Sequence, residues 1–237
     1  MHEYYARNRE KFRKANQELL KYIRAELERD TGKPWAAVEA EIWQVYETEL
    51  LERFPYIGGD EVSGTKNLTG AYCFVAMGEV LKRYGMDMEH IGHLMVLSYT
   101  RQTEAIPGVV RAVMKKLFTS PKLLRKMFTK KDAANAANAA KNPGSFETKV
   151  QAPTAEYPFI YHNLVCPLSD FARRYGYEDY MPYLCNLDYA MYGTLGVPLY
   201  RTHTCFADGD YCDFSVKPGA EVLKAWPPVF TQGKGCR

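Results

Sequence analysis

Apolar positions recur at helical spacing through the first 140 residues and then give way to alternation. From Tyr5 to Glu28 the chain is dominated by Glu, Lys, Arg, Ala and Leu, residues that lose little on entering a helix. Thr31-Gly32 supplies a stop. Pro34 stands where a helix can begin, because its missing N–H costs nothing there. Trp35 to Phe54 places Val38, Ile42, Val45 and Leu50 near one face of a second helix. Glycines mark Pro55 to Gly64 as a loop. A third helix is expected from about Lys66 to Tyr84, with Leu68, Tyr72, Val75, Gly78 and Leu81 inward and Gly85 ending it. Asp87 is placed to cap a fourth helix through Tyr99, and Ser120-Pro121 reads as a cap followed by proline at the first helical position. Asp132 to Ala140 favours helix but lacks large apolar groups, which predicts an exposed helix end closed by Asn142-Pro143-Gly144.

The texture then changes. Phe146 to Val165 is β-prone, with Phe159, Tyr161 and Leu164 expected inward. Pro153 and Pro158 confine part of it to an edge. Leu168 to Tyr175 suits a short helix ended by Gly176, and Tyr180 to Tyr192 suits another. Val197 to Phe206 and Tyr211 to Val216 read as strands joined by Ala207-Asp208-Gly209-Asp210, in which the D-G pair signals a hairpin. Helices first and a mixed section after them predict an α+β fold with an antiparallel sheet. The expected organisation is a helical part over 1–145, an α/β section over 146–217 and a tail over 218–237, in one compact domain.

Charge narrows the partners. The net charge of +3 is too slight to point to nucleic acid. The start, Met1 to Arg7, lacks an apolar signal core, and no apolar run is long enough to span a bilayer. These features predict a cytoplasmic protein without stable membrane insertion. Arg111 to Lys131 is basic, with Leu117, Leu123, Leu124, Met127 and Phe128 interleaved. Such a helix can lie on an anionic membrane or dock on a partner, but the commoner arrangement is a core-packed helix with a solvated basic face. Exposed aromatics and the alanine-rich helix leave room for a homodimer.

Four of the six cysteines, Cys166, Cys185, Cys205 and Cys212, fall in the last third. None form a C-x-x-C pair, and without a secretion signal they read as thiols. The same region carries Arg201-Thr202-His203-Thr204 and Gly209-Asp210-Tyr211-Cys212-Asp213-Phe214. Together with Tyr56-Ile57-Gly58-Gly59, Cys166 at the start of a short helix and Cys185-Asn186-Leu187-Asp188, this spaced set resembles the L-2-amino-thiazoline-4-carboxylic acid hydrolase family, over roughly Tyr56 to Phe214. The terminal hairpin is also similar to small-molecule-binding domains of the vinyl-reductase and tethering-component type, which are often non-catalytic, and one scaffold can host both roles.

The family resemblance implies hydrolysis at a carbon flanked by nitrogen and sulfur in a small cyclic amidine, opening a carbon–nitrogen bond. Such a reaction needs a nucleophile, a proton carrier and a grip on an anionic small-molecule substrate. Cys166, just before Pro167, is the first candidate nucleophile, because a helix N-terminus favours the reactive thiolate. Asp188 is the candidate acid–base group or amidine partner, three residues from Cys185 on one helix face. Arg201 offers a two-pronged hydrogen bond to a carboxylate; pairing with Asp213 or Asp210 is the structural alternative. Alternation along a strand would put Arg201 and His203 on one face and Thr202 and Thr204 on the other. Thr202, His203, Cys212 and Asp213 complete the substrate-binding candidates, with Cys212 and Phe214 on one face and Asp213 opposite. Gly58-Gly59 and Asp60 to Asn67 are candidates for a lid or an anion-binding turn. His203, Cys205, Cys212 and Asp213 fit no common zinc spacing, and the resemblance implies neither metal nor other cofactor.

Overall fold

The computed structural model describes residues 1–207 and 210–223. Its helices are α1 (Glu3–Arg7), α2 (Arg9–Leu20), α3 (Arg24–Thr31), α4 (Trp35–Val45), α5 (Ser63–Arg83), α6 (Met88–Glu104), α7 (Gly108–Phe118), α8 (Pro121–Ala139), α9 (Pro167–Tyr175), α10 (Met181–Leu184) and α11 (Leu187–Leu195). Four strands, β1 (Glu147–Val150), β2 (Phe159–Val165), β3 (Leu199–Tyr200) and β4 (Cys212–Val216), form an antiparallel sheet in the order β1-β2-β4-β3. The fold is α+β, with the helices leading.

The start and stop signals act as expected. Gly32 and Gly176 take the left-handed conformation that ends α3 and α9. Asp87 caps α6 by accepting from the His90 N–H, and Ser120 caps α8 by accepting from the Leu123 N–H, with Pro121 following. The single helix expected over Tyr5 to Glu28 is instead broken twice. Asn8 turns its side chain onto the Tyr4 carbonyl at the first break. A 3₁₀ turn at Lys21–Ile23 makes the second. There Ser98 and Arg101 of α6 donate to the Leu19 and Tyr22 carbonyls at 2.6 and 2.7 Å, so backbone acceptors freed from the ladder are satisfied by tertiary contacts.

Helix α5 is the centre of the helical part. Tyr72 to Met77 are all fully buried, so it is covered all round rather than on one face. Around it gathers a large apolar cluster from α2 to α6 and α9, α10. A second cluster joins α8, α11 and the sheet. Pairing of Phe159 with Val216, Tyr161 with Phe214 and Asn163 with Cys212 sets those six side chains on one sheet face. The Tyr161 and Phe214 rings stack there at 4.5 Å.

Four expectations are corrected. Leu164 points to the opposite, outer face and is 42 % exposed. Strand β3 stops at Tyr200, so Arg201 to Phe206 is irregular chain instead of a strand. Within it Arg201 and Thr204 are buried while Thr202 is exposed, which breaks the expected alternation. The alanine-rich end of α8 exposes Ala133, Ala134, Ala136 and Ala137 as expected, while its other side docks on β1: Asp132 accepts from the Thr148 hydroxyl and the Val150 N–H, and buried Asn135 donates to Thr148. The expected Tyr180 to Tyr192 helix is interrupted between α10 and α11. Asp208 and Gly209 of the hairpin signal lie outside the described residues. No helix among the described residues is long and apolar enough to cross a membrane.

Candidate functional site

A cavity of about 420 Å³ opens at the seam between the two apolar clusters. Helices α2, α5 and α6 supply one wall with Leu19, Ser63, Asn67, Phe74 and Tyr99. The sheet and α8 supply another with Thr148, Tyr161, Asn163, Cys212, Phe214, Lys131 and Asn135. The chain from Cys166 through α11 closes it with Cys166, Cys185 and Asp188, and Arg201 lies between these walls.

Arg201 organises the floor. It is 2 % exposed, and its guanidinium lies 4.1 Å above the Phe214 ring. Its Nε donates to the Asp213 carbonyl at 3.0 Å, and its Nη1 donates to the Cys185 carbonyl and, at 3.1 Å, to Asp188 Oδ2. The two-pronged grip expected for a substrate carboxylate is therefore largely spent on the protein, and the ionic partner is Asp188 rather than Asp213 or Asp210. Asp188 keeps 39 % of its side-chain surface, and that surface opens into the cavity. Burial pushes its carboxyl pKa up, while the charges of Arg201 and Lys131 pull against the rise.

Beside this pair lie three thiols. Cys166 immediately precedes α9, as expected. The Cys205 N–H donates to Cys212 Sγ at 3.2 Å. Hydrogen bonds with Cys166 and Cys212 raise the Cys205 pKa, reinforced by burial. Cys212 moves the other way, to about 7: the bond from the Cys205 thiol favours its anion, burial opposes this, and the Arg201 charge adds to the favourable side. Cys205 and Cys212 are free thiols. Of the pair, Cys212 is thus the sulfur disposed to be anionic.

Lys131 faces Asp188 across the cavity. Burial lowers its pKa, and Asp188 and Asp132 counter this. Asn163 lines the cavity, and its buried Oδ1 has no hydrogen-bond partner among the described residues, which leaves an unsatisfied acceptor in this wall.

Of the candidates read from the sequence, Cys166, Asp188, Arg201 and Cys212 meet at this cavity. Thr202, His203 and Asp213 do not line it. The buried Asp213 carboxylate accepts from the Thr202 N–H and hydroxyl and from the His203 N–H at 2.8 to 2.9 Å, holding the irregular segment to the outer side of β4. His203 stacks on Tyr211, which stacks on His162. Gly58 and Gly59 have positive φ and press on Asn138 and Tyr4. Tyr4 and Lys11 both bond Asp60, so this turn is tied down, and only Ser63 to Asn67 beyond it reach the cavity. Lys131, Asn135 and Asn163 are additions. Leu124, Phe128, Lys131 and Asn135 share one helical stripe, and that spacing was the available signal. Among the described residues no group of three or more His, Cys, Asp or Glu is placed to hold a metal ion.

Fold and cavity define an α+β protein with a thiol–guanidinium–carboxylate centre at the seam of its two cores. The family model of L-2-amino-thiazoline-4-carboxylic acid hydrolase matches residues 66–216. The chain belongs to that family, and the matched segment contains every residue of the centre. No curated protein and no solved structure matches it.

Proposed function

We propose that the protein hydrolyses a small cyclic amidine bearing a carboxylate, opening a carbon–nitrogen bond, with Cys212 as the nucleophile. The observation that carries this reading is the meeting, in one cavity, of the Cys212 thiol, the Asp188 carboxyl and the Lys131 amine, with Arg201 bonded to Asp188; Cys212 is held toward its anion and the Asp188 carboxyl pKa is raised by burial. In this scheme Lys131 attracts the substrate carboxylate and Asn163 Oδ1 accepts from an amidine N–H. The Cys212 thiolate adds to the amidine carbon. Asp188, in its acid form, gives a proton to the departing ring nitrogen and becomes the base that takes a proton from water. That water attacks the carbon held on sulfur and releases the opened product and the thiolate. Cys166 flanks the reacting sulfur through Cys205 and acts as a positioning residue.

The test is turnover of L-2-amino-thiazoline-4-carboxylate and related cyclic amidines, followed by product mass, with wild type and the Cys212→Ala, Cys166→Ala and Asp188→Asn variants. Loss of turnover in Cys212→Ala, with partial activity in Cys166→Ala, is the expected result. Full activity in Cys212→Ala removes Cys212 as nucleophile. Binding without turnover by wild type favours a ligand-binding role for the same cavity.

A further inference from the structure

Helices α7 and α8 and the two residues between them form a hairpin with an unusual surface. Between Glu104 and Asp132 the chain has no carboxylate, yet it carries eight of the 31 Lys and Arg residues. The remaining 23 face all 28 Asp and Glu, so the positive sign of the whole protein comes from this segment. None of Arg111, Lys115, Lys116, Lys122, Lys126 and Lys130 has an ion pair among the described residues.

The same hairpin exposes apolar groups. Five of the seven large apolar side chains exposed among the described residues are here: Val109 at 80 %, Val113 at 63 %, Val110 at 46 %, Leu123 at 44 % and Met127 at 37 %. Helix α7 has no fully buried residue; it packs only its Met114 and Phe118 side on the second core and leaves its valines outside. Helix α8 does turn Leu124 and Phe128 into the core, so its outward Leu123 and Met127 are surplus to packing. Val109 and Val113, like Leu123 and Met127, are four apart and share a helix face.

We propose that the α7–α8 hairpin is a peripheral docking surface for an anionic lipid membrane. Charge complementarity selects a negative partner and argues against a second copy, which would oppose two sets of like charges. Side-chain type selects lipid over an acidic protein. The exposed cations are mainly lysines, which protein interfaces disfavour, and the exposed apolar groups include no Trp or Tyr of the kind that anchors such interfaces. Unpaired lysines flanking aliphatic groups are what a headgroup layer accepts: the lysines meet lipid charge and the aliphatic groups enter the acyl boundary.

The experiment is co-sedimentation of the full chain with vesicles of phosphatidylcholine and phosphatidylserine, or of phosphatidylcholine alone, at low and high salt. Binding that requires phosphatidylserine and weakens with salt is expected. The triple variant Lys115→Gln, Lys116→Gln, Lys126→Gln should bind on the order of 100-fold more weakly. Val109→Ser with Val113→Ser should bind about tenfold more weakly. All five positions are exposed, so unchanged circular dichroism and melting are expected of both variants. Protein that stays in solution with anionic vesicles overturns the proposal, as does binding that neither variant changes. Self-association lost in the valine variant, or retention on polyglutamate without vesicle binding, overturns it in favour of a second copy or an acidic protein.

Discussion

Replacing Arg201 by Gln tests the centre most directly. The side chain is 2 % exposed and bonds the Asp213 carbonyl, the Cys185 carbonyl and Asp188. Gln keeps a planar polar end but lacks the charge and the reach for three partners. Breaking a buried ion pair costs ~3–5 kcal/mol because a charge is left behind. Here Asp188 retains 39 % of its surface and can rehydrate through the cavity, so the lower end, about 3 kcal/mol, is expected. Urea unfolding at pH 7 should show a midpoint lower by ~1–2 M. A second readout follows from the sulfur. Arg201 helps hold Cys212 at about 7, so its removal should move Cys212 carbamidomethylation to higher pH. Peptide mass analysis separates that thiol from the others. A variant with unchanged midpoint and an unchanged Cys212 titration would refute the assignment of Arg201 as the electrostatic centre.

Other outcomes follow from the same contacts. Turnover in wild type should follow a bell-shaped pH profile, because the scheme needs Cys212, depressed to about 7, as the thiolate and Asp188, raised by burial, as the acid; a rate that climbs to a plateau well above pH 7 contradicts the acid role of Asp188. Lys131→Met should raise KM for carboxylate-bearing amidines by about tenfold or more while leaving kcat less affected, read by steady-state kinetics with and without the substrate carboxylate. Asp213→Ala releases the Thr202 and His203 bonds and should cost ~2–4 kcal/mol in urea unfolding, with proteolysis appearing near residues 201–206. Gly78→Ala should destabilise by ~1–3 kcal/mol despite better helix propensity, because a Cβ there would lie 2.3 Å from the Tyr180 ring; a stabilised variant contradicts the packing.

Local rules carry the parts of this protein that depend on neighbours in sequence. The caps at Asp87 and Ser120, the glycine stops at Gly32 and Gly176 and the position of Cys166 ahead of α9 follow from dihedral preference and orphan backbone groups. The order of helices and strands gives α+β, and the spaced Cys, Asp and Arg motifs point to the family. What the chain alone left open was decided by contacts between distant segments. Arg201 finds Asp188, 13 residues away, because the chain leaves the sheet after Tyr200 and Asp213 clamps it there. Lys131 turns from a member of a basic run into a wall of the cavity because Leu124 and Phe128, on its stripe, are drawn into the sheet's core. Cys212 becomes a sulfur disposed to ionise, since charge stabilisation depends on spatial proximity to Arg201 and to the Cys205 N–H and thiol. Propensity acts over a few residues, whereas desolvation and Coulomb interaction act through space, and only folding sets those distances.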